Sequence, residues 1–259
     1  MAGIPLSDDY PVRRVPVVTY TLIAVNVAVY LLSPMSLLAV WYGAPESRGC
    51  AIEEYLLRWA AFPAALLTGT RLTAEQAAAF TPCPLPSTVI WPGLSAVTSM
   101  FLHADAFHLT GNMVYLFVFG PCVEDRLGRF RYPLIYLGTG VAACYGFSLA
   151  EGPAAVPMVG ASGAISGVLG TYLVVQFRSR VTTLLFGILP VRLPGWVLVA
   201  TFFALDYLLY LSSRLSPNEW QDGGVAYAAH VYGFLTGLVV GLLVYRVRWG
   251  AGARLSDVH

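Results

Sequence analysis

The sequence predicts an all-α polytopic membrane protein, on three observations. Hydrophobic residues fill 57% of the 259 positions and charged residues 11%, outside the usual balance of soluble globular domains. Apolar stretches approaching the ~20 residues that span a bilayer's hydrocarbon recur six times. All fifteen basic residues are arginines, and most of them lie in alternate connections between those stretches.

The six predicted spans are 15–32, 100–123, 132–149, 162–177, 196–211 and 226–245. The first follows Arg13 and Arg14 as a secretory signal would, yet no Ala-x-Ala cleavage pattern follows it, so it reads as an uncleaved anchor. The second and fourth carry His108, Asn112 and Gln176, polar groups that must face other helices rather than lipid. This gives one membrane domain over 15–248 between cytoplasmic tails 1–14 and 249–259, tails too short for an added soluble domain.

With both termini cytoplasmic, eleven arginines fall inside: Arg13, Arg14, Arg126, Arg129, Arg131, Arg178, Arg180, Arg192, Arg246, Arg248 and Arg254. Four fall outside: Arg48, Arg58, Arg71 and Arg214. That asymmetry sets the orientation. The longest connection, about 41–94, is then extracytoplasmic. Within it 53–67 mixes Tyr55, Leu56, Leu57, Trp59, Phe62 and Leu66 with Glu53, Glu54 and Arg58, the pattern of a helix resting on the outer leaflet. A loop folded against the bundle is the alternative. Cys50 and Cys83 bracket this loop where a disulfide would persist, while Cys122 and Cys144 fall in spans as packing residues. The sequence does not choose among the pairings.

Ser162 lies in Gly160-Ala161-Ser162-Gly163, at the start of an apolar helix. A serine hydroxyl needs a base, and His103, His108 and His230 are the histidines away from the chain end. His108 and Asn112 share a helix face and can donate toward one point. With the Ser162 amide at a helix start they suit a tetrahedral oxyanion. His230 is left as the base. Its helix carries Gly233, Gly237 and Gly241, and the fourth carries Gly163 and Gly167 at the same spacing, which lets two helices approach closely. No carboxylate is placed for a triad, so a Ser-His dyad is expected. Asp206, mid-way along the fifth span, reads either as part of a gate or as a neutral acid bonded to a serine or a backbone carbonyl.

These residues resemble the rhomboid family of intramembrane serine proteases, across nearly the whole chain. Thr98-Ser99-Met100-Phe101-Leu102-His103 through His108-Leu109-Thr110-Gly111-Asn112-Met113 is similar to the family's second-helix signature. Glu124-Asp125-Arg126 is similar to its Glu-x-Arg element, Gly160-Ala161-Ser162-Gly163 to its nucleophile motif, and Ala229-His230 with Gly233 and Gly237 to its sixth helix. The resemblance implies a six-helix bundle with Ser162 as nucleophile and His230 as general base. It implies an oxyanion hole of His108, Asn112 and the Ser162 amide, with His103 holding the outer end of the second helix and lining a water-filled cavity. It also implies single-pass transmembrane substrates cut near their outer ends, with the fifth helix and the following loop as gate. No cofactor or metal is implied, and the setting is the plasma membrane.

Two features depart from the family pattern. Ser166 stands where many members place an aromatic residue against the catalytic imidazole, leaving Tyr232, Tyr227 or Ser166 itself to brace His230. Trp91-Pro92-Gly93 lacks the Trp-Arg pair some members have, in a loop longer than the shortest family versions.

Other readings are weaker. A net charge of +1 gives no case for nucleic acid. A metal hydrolase built on His103 and His108 lacks a neighbouring glutamate, and a small transporter should show internal repeats. The remaining alternative is a catalytically silent rhomboid-like protein that binds membrane clients. Substrate identity and oligomeric state are not encoded legibly.

Overall fold

A computed structural model of the chain describes residues 3–44, 47–86, 89–185, 187–215 and 226–250. Ten helices and three short strands are described. Four helices are long and apolar enough to cross a membrane: α6 (Ala106–Leu127), α7 (Arg131–Glu151), α9 (Gly195–Leu215) and α10 (Tyr227–Gly250). Two more apolar helices fall where spans were predicted but are shorter, α1 (Val17–Leu32) and α8 (Ser162–Val175). The gate loop expected before the last helix includes 216–225, and the carboxyl-terminal tail includes 251–259; both stretches lie outside the described residues.

α8 explains its own length. At 1.5 Å per residue its 14 residues reach about 21 Å, short of a ~30 Å hydrocarbon layer. It need not reach further, because α6, α7, α9 and α10 all pack on it and every residue from Gly163 to Tyr172 is buried. The α8–α10 seam is backbone against backbone. A Cβ on Gly233 would fall 2.1 Å from the Gly163 carbonyl oxygen, and one on Gly237 1.9 Å from that of Gly167. Thr171 donates its hydroxyl to the Gly237 carbonyl at 3.0 Å across the same seam.

α6 begins later than predicted, because Asp105 caps it by accepting from the His108 amide at 2.8 Å. Residues Ser99–Phe101 form a separate 3-10 turn. At its other end α6 continues through Glu124, whose buried carboxylate accepts from the Val18 and Thr19 amides (3.0 and 2.8 Å) and the Thr19 hydroxyl (2.8 Å). α1 has no side-chain cap of its own, so Glu124 supplies one from another helix and complements the positive end of its dipole. Asp125 accepts from the Tyr10 hydroxyl (2.8 Å) and Arg13 Nε (3.1 Å), and Arg126 donates to Gln176. This end of α6 therefore ties the amino-terminal segment to the bundle.

The amino-terminal segment 1–14, expected to be a plain tail, contains β1 (Gly3–Asp8), which joins a sheet absent from the all-helical expectation. It pairs antiparallel with β2 (Arg180–Leu185), and β2 with β3 (Leu189–Pro194), in the order β1-β2-β3. β1 lies along α6, its Gly3 carbonyl accepting from the Tyr115 hydroxyl (3.5 Å), while Asp8 accepts from the Tyr172 hydroxyl of α8 (2.7 Å). Val181-Thr182-Thr183 has the β-branched content of a strand and one partner, β3, close by in sequence, but its other partner, β1, is about 175 residues away and no local pattern announces that pairing.

The long connection folds against the bundle, and the helix expected over 53–67 is broken. α2 (Gly49–Trp59) and α3 (Pro63–Thr68) are separated at Ala60–Phe62, since Pro63 favours a helix's first turn and keeps Phe62 extended. Leu57, Phe62 and Leu66 are buried in protein instead of lipid. α4 (Ala74–Phe80) starts with a full capping box from Thr73 and Gln76, and α5 (Pro92–Thr98) leads toward α6. A disulfide joins Cys50 to Cys83, Cα atoms 5.5 Å apart. Closing that loop stabilises the fold by about 3–4 kcal/mol in the chain-entropy model.

A substitution at the seam should separate close packing from helix propensity. Gly237→Ala places a methyl inside the contact with Gly167 and should cost at least ~2 kcal/mol, lowering the melting temperature in detergent by roughly 4–8 °C. Gly138→Ala on α7, where a Cβ meets nothing within 4 Å, should not lower it.

Candidate active site

The site lies where α8 begins. Two strand-like contacts between Ala61 and Met158 (Met158 amide to Ala61 carbonyl 2.7 Å, the reverse 3.3 Å) pin the α7–α8 connection to the long loop. The Gly160 amide donates to the Ser99 carbonyl at 2.9 Å. Gly160 has φ +121°, a conformation that favours glycine, and it turns the chain into α8 so that Ser162 is the helix's first residue. Ser162 therefore stands at the positive end of a buried helix.

His108 faces it. A Cβ on Gly160 would lie 2.8 Å from His108 Nε2 and 3.6 Å from Ser162 Oγ, so the imidazole and the hydroxyl border one small space beside Gly160 that only glycine leaves open. Asn112, buried one turn along α6, donates one amide hydrogen to the His108 carbonyl at 3.1 Å and retains the other.

His230 enters from α10. Its neighbour Ala229 and its i+3 residue Gly233 both meet Gly163, the residue after Ser162. Among the described residues no hydrogen bond joins Ser162 to His230; such bonds are commonly long before substrate arrives. The imidazole is flanked by Phe202, nearly parallel at 6.4 Å between centroids, and Tyr227, edge-on at 6.4 Å. Its Nδ1 lies 3.0 Å from Asp206 Oδ2 on α9.

A family model described as Rhomboid domain matches residues 91–247, well over half of the chain. The chain belongs to the rhomboid family. This rhomboid is 41% identical over 85 residues to the YdcA protein of Bacillus subtilis (strain 168), a stretch that is 32% of this chain and 42% of that one. It is 31% identical over 153 residues to Rhomboid protein 1, mitochondrial, of Saccharomyces cerevisiae (57% of this chain, 41% of that one). It is 29% identical over 158 residues to Rhomboid-type serine protease 2 of Emericella nidulans (58% and 26%). The matches thus span less than half of each of these relatives. Family and apolar helices together make the chain a multi-pass membrane protein of a family with named serine proteases.

Placed in this rhomboid, the expected site residues divide. Ser162, His108 and Gly160 converge directly, and Gly163, Gly233 and Gly237 form the seam that brings α10 alongside. His103 does not act as expected. It is 1% exposed rather than lining an open cavity, and neither ring nitrogen finds a partner among the described residues. It packs edge-on against His108, centroids 5.2 Å apart, and so props that ring. His103 precedes α6, outside the spans, and burial together with the neighbouring His108 pushes its imidazole down to about 4, leaving it neutral at physiological pH.

Of the braces considered for His230, Tyr227 is in place and Tyr232 is not, since Tyr232 packs on Gly146 of α7. Ser166 is buried within α8. The larger correction is Asp206, expected either as part of a gate or as a neutral acid bonded to a serine or a backbone carbonyl. Its partner is the His230 ring. The sequence carried one partial signal: the fifth and sixth spans are consecutive, so two ionisable groups on them lie on neighbouring helices, but spacing alone did not set their depths. The grouping Cys50, Glu53 and Cys83 has metal-ligand types within 4.8 Å, but the two sulfurs are joined to each other.

Gly160→Ala tests the shared space. The methyl meets the His108 ring and strains the backbone, which should slow reaction of Ser162 with a fluorophosphonate about 10- to 100-fold. The melting temperature should fall as well, by roughly 2–12 °C, since the strained backbone alone costs about 1–3 kcal/mol.

Proposed function

We propose that this protein is an intramembrane serine endopeptidase that cleaves single-pass transmembrane substrates near the outer face of the plasma membrane. One observation carries the reading: Ser162 opens a buried helix beside the His108 imidazole while glycine packing holds the helix of His230 against it. The arginine asymmetry supports a site near the outer face, with both termini and the sheet-bearing end cytoplasmic. Residues 15–248 form the membrane domain in this reading.

In the reaction, His230 Nε2 takes the Ser162 proton as Oγ attacks the scissile carbonyl. The resulting oxyanion is stabilised by the Ser162 amide, the His108 ring and the free amide hydrogen of Asn112. The imidazolium then protonates the leaving amine, freeing one product and leaving an acyl-enzyme. Water, activated by the same imidazole, releases the second product. The chemistry requires no cofactor.

Ser162→Ala and His230→Ala should each abolish cleavage of a tethered transmembrane substrate, a loss of at least about 10³-fold. A chelator should leave the parent enzyme's rate unchanged. Cleavage that survives Ser162→Ala, or that stops only with chelator, would remove the serine mechanism. A parent protein that binds such a substrate and never cuts it would indicate a silent client-binding role.

A further inference from the structure

α9 is the least enclosed of the four long spans, with 22% of its apolar stretch buried against 56% for α6. Its residues around Asp206 face outward: Leu205, Tyr207 and Leu208 are 39–60% exposed on the protein surface. Asp206 alone of this group turns in, at 8%. A carboxylate on such a helix is costly in lipid, and its placement calls for a polar partner inside the bundle. Tyr115, close by, is engaged with the Gly3 carbonyl. The partner of Asp206 is His230 Nδ1, with both side chains nearly enclosed, 11% and 12% exposed.

We infer that Asp206 is a positioning residue for His230, so that a third side chain completes the serine and histidine of the proposed mechanism. This rests on the serine-protease reading above. An ionised carboxylate can only accept, so Nδ1 carries the ring hydrogen and Nε2 is left with its lone pair free. That is the tautomer able to take a proton from Ser162. When it does so, the proton moves from Oγ to Nε2, and the positive charge of the imidazolium lies 3.0 Å from the carboxylate, which keeps its own charge throughout. Phe202 and Tyr227 close the two sides of the ring, limiting its rotation, and Asp206 fixes which nitrogen points toward α8. The task given in many family members to an aromatic residue at the position of Ser166 is here divided between rings on α9 and α10 and a carboxylate. The bond also joins two spans, so that the correct tautomer depends on α9 lying against α10.

Asp206→Asn keeps the volume and removes the obligate acceptor, since an amide nitrogen can donate to Nδ1 and turn the ring hydrogen toward the serine. In soluble serine proteases the corresponding exchange costs about 10⁴ in kcat. Here kcat for a tethered transmembrane substrate in detergent should fall at least ~100-fold with KM within ~3-fold, and fluorophosphonate labelling of Ser162 should slow in parallel. Asp206→Glu restores a carboxylate and should recover at least ~10-fold of the loss. A kcat within ~3-fold of the parent in Asp206→Asn, or Asp206→Glu no better than Asp206→Asn, overturns the inference. So does a loss confined to KM with a lowered melting temperature, the mark of a merely structural acid. Failure of the underlying reading looks different: labelling and cleavage would then persist in Ser162→Ala or His230→Ala, whatever Asp206→Asn does.

Discussion

The α8–α10 seam sets the geometry of everything else. Two helices whose backbones touch at Gly163–Gly233 and Gly167–Gly237 leave no room for side chains between them, so the distance and rotation of one relative to the other are fixed by main-chain atoms. In lipid, where apolar burial does not drive helices together, close packing and interhelical hydrogen bonds are the available forces, and Thr171 donating to the Gly237 carbonyl adds one. Ser162 and His230, at the head of this seam, inherit its rigidity. The proposed proton transfer between them depends on it, since displacement by about 1 Å costs orders of magnitude in rate.

Around that seam three carboxylates offset their cost by pairing with a group from another element. Glu124 caps a helix that has no cap of its own, Asp8 receives the Tyr172 hydroxyl, and Asp206 receives the His230 ring. None of these pairs is local in sequence. Each costs desolvation and each therefore specifies an arrangement, since separating the partners would leave a polar group buried without compensation. His103 departs from that pattern: a buried, neutral ring that contributes by packing on His108.

The long loop extends the same logic to the surface. Its disulfide and buried face make it a folded unit, and its backbone contacts with Met158 and Ala154 hold the turn that presents Ser162. Six apolar helices, four of them long enough to cross a membrane, and Ser162 at a helix start could be read from spacing alone, because helical periodicity and glycine spacing are local properties. The interrupted helix at Ala60–Phe62 was also written locally, in Pro63, but the amphipathic pattern around it outweighed one residue. The place of β1 in the sheet was not legible, because β1 and β2 are far apart in the chain and meet only once the bundle is folded.

The sequence by itself determined the membrane setting and the family: apolar spans, the placement of Ser162 at a helix start, and the glycines that let α8 and α10 meet. Tertiary structure alone decided which polar groups face one another. It turned Asp206 onto His230, enclosed His103 and laid the amino-terminal strand along α6. The reason is that periodicity reports which face of a helix is polar, while the identity of the partner depends on relative depth and rotation of helices, quantities set by packing between segments far apart in the chain.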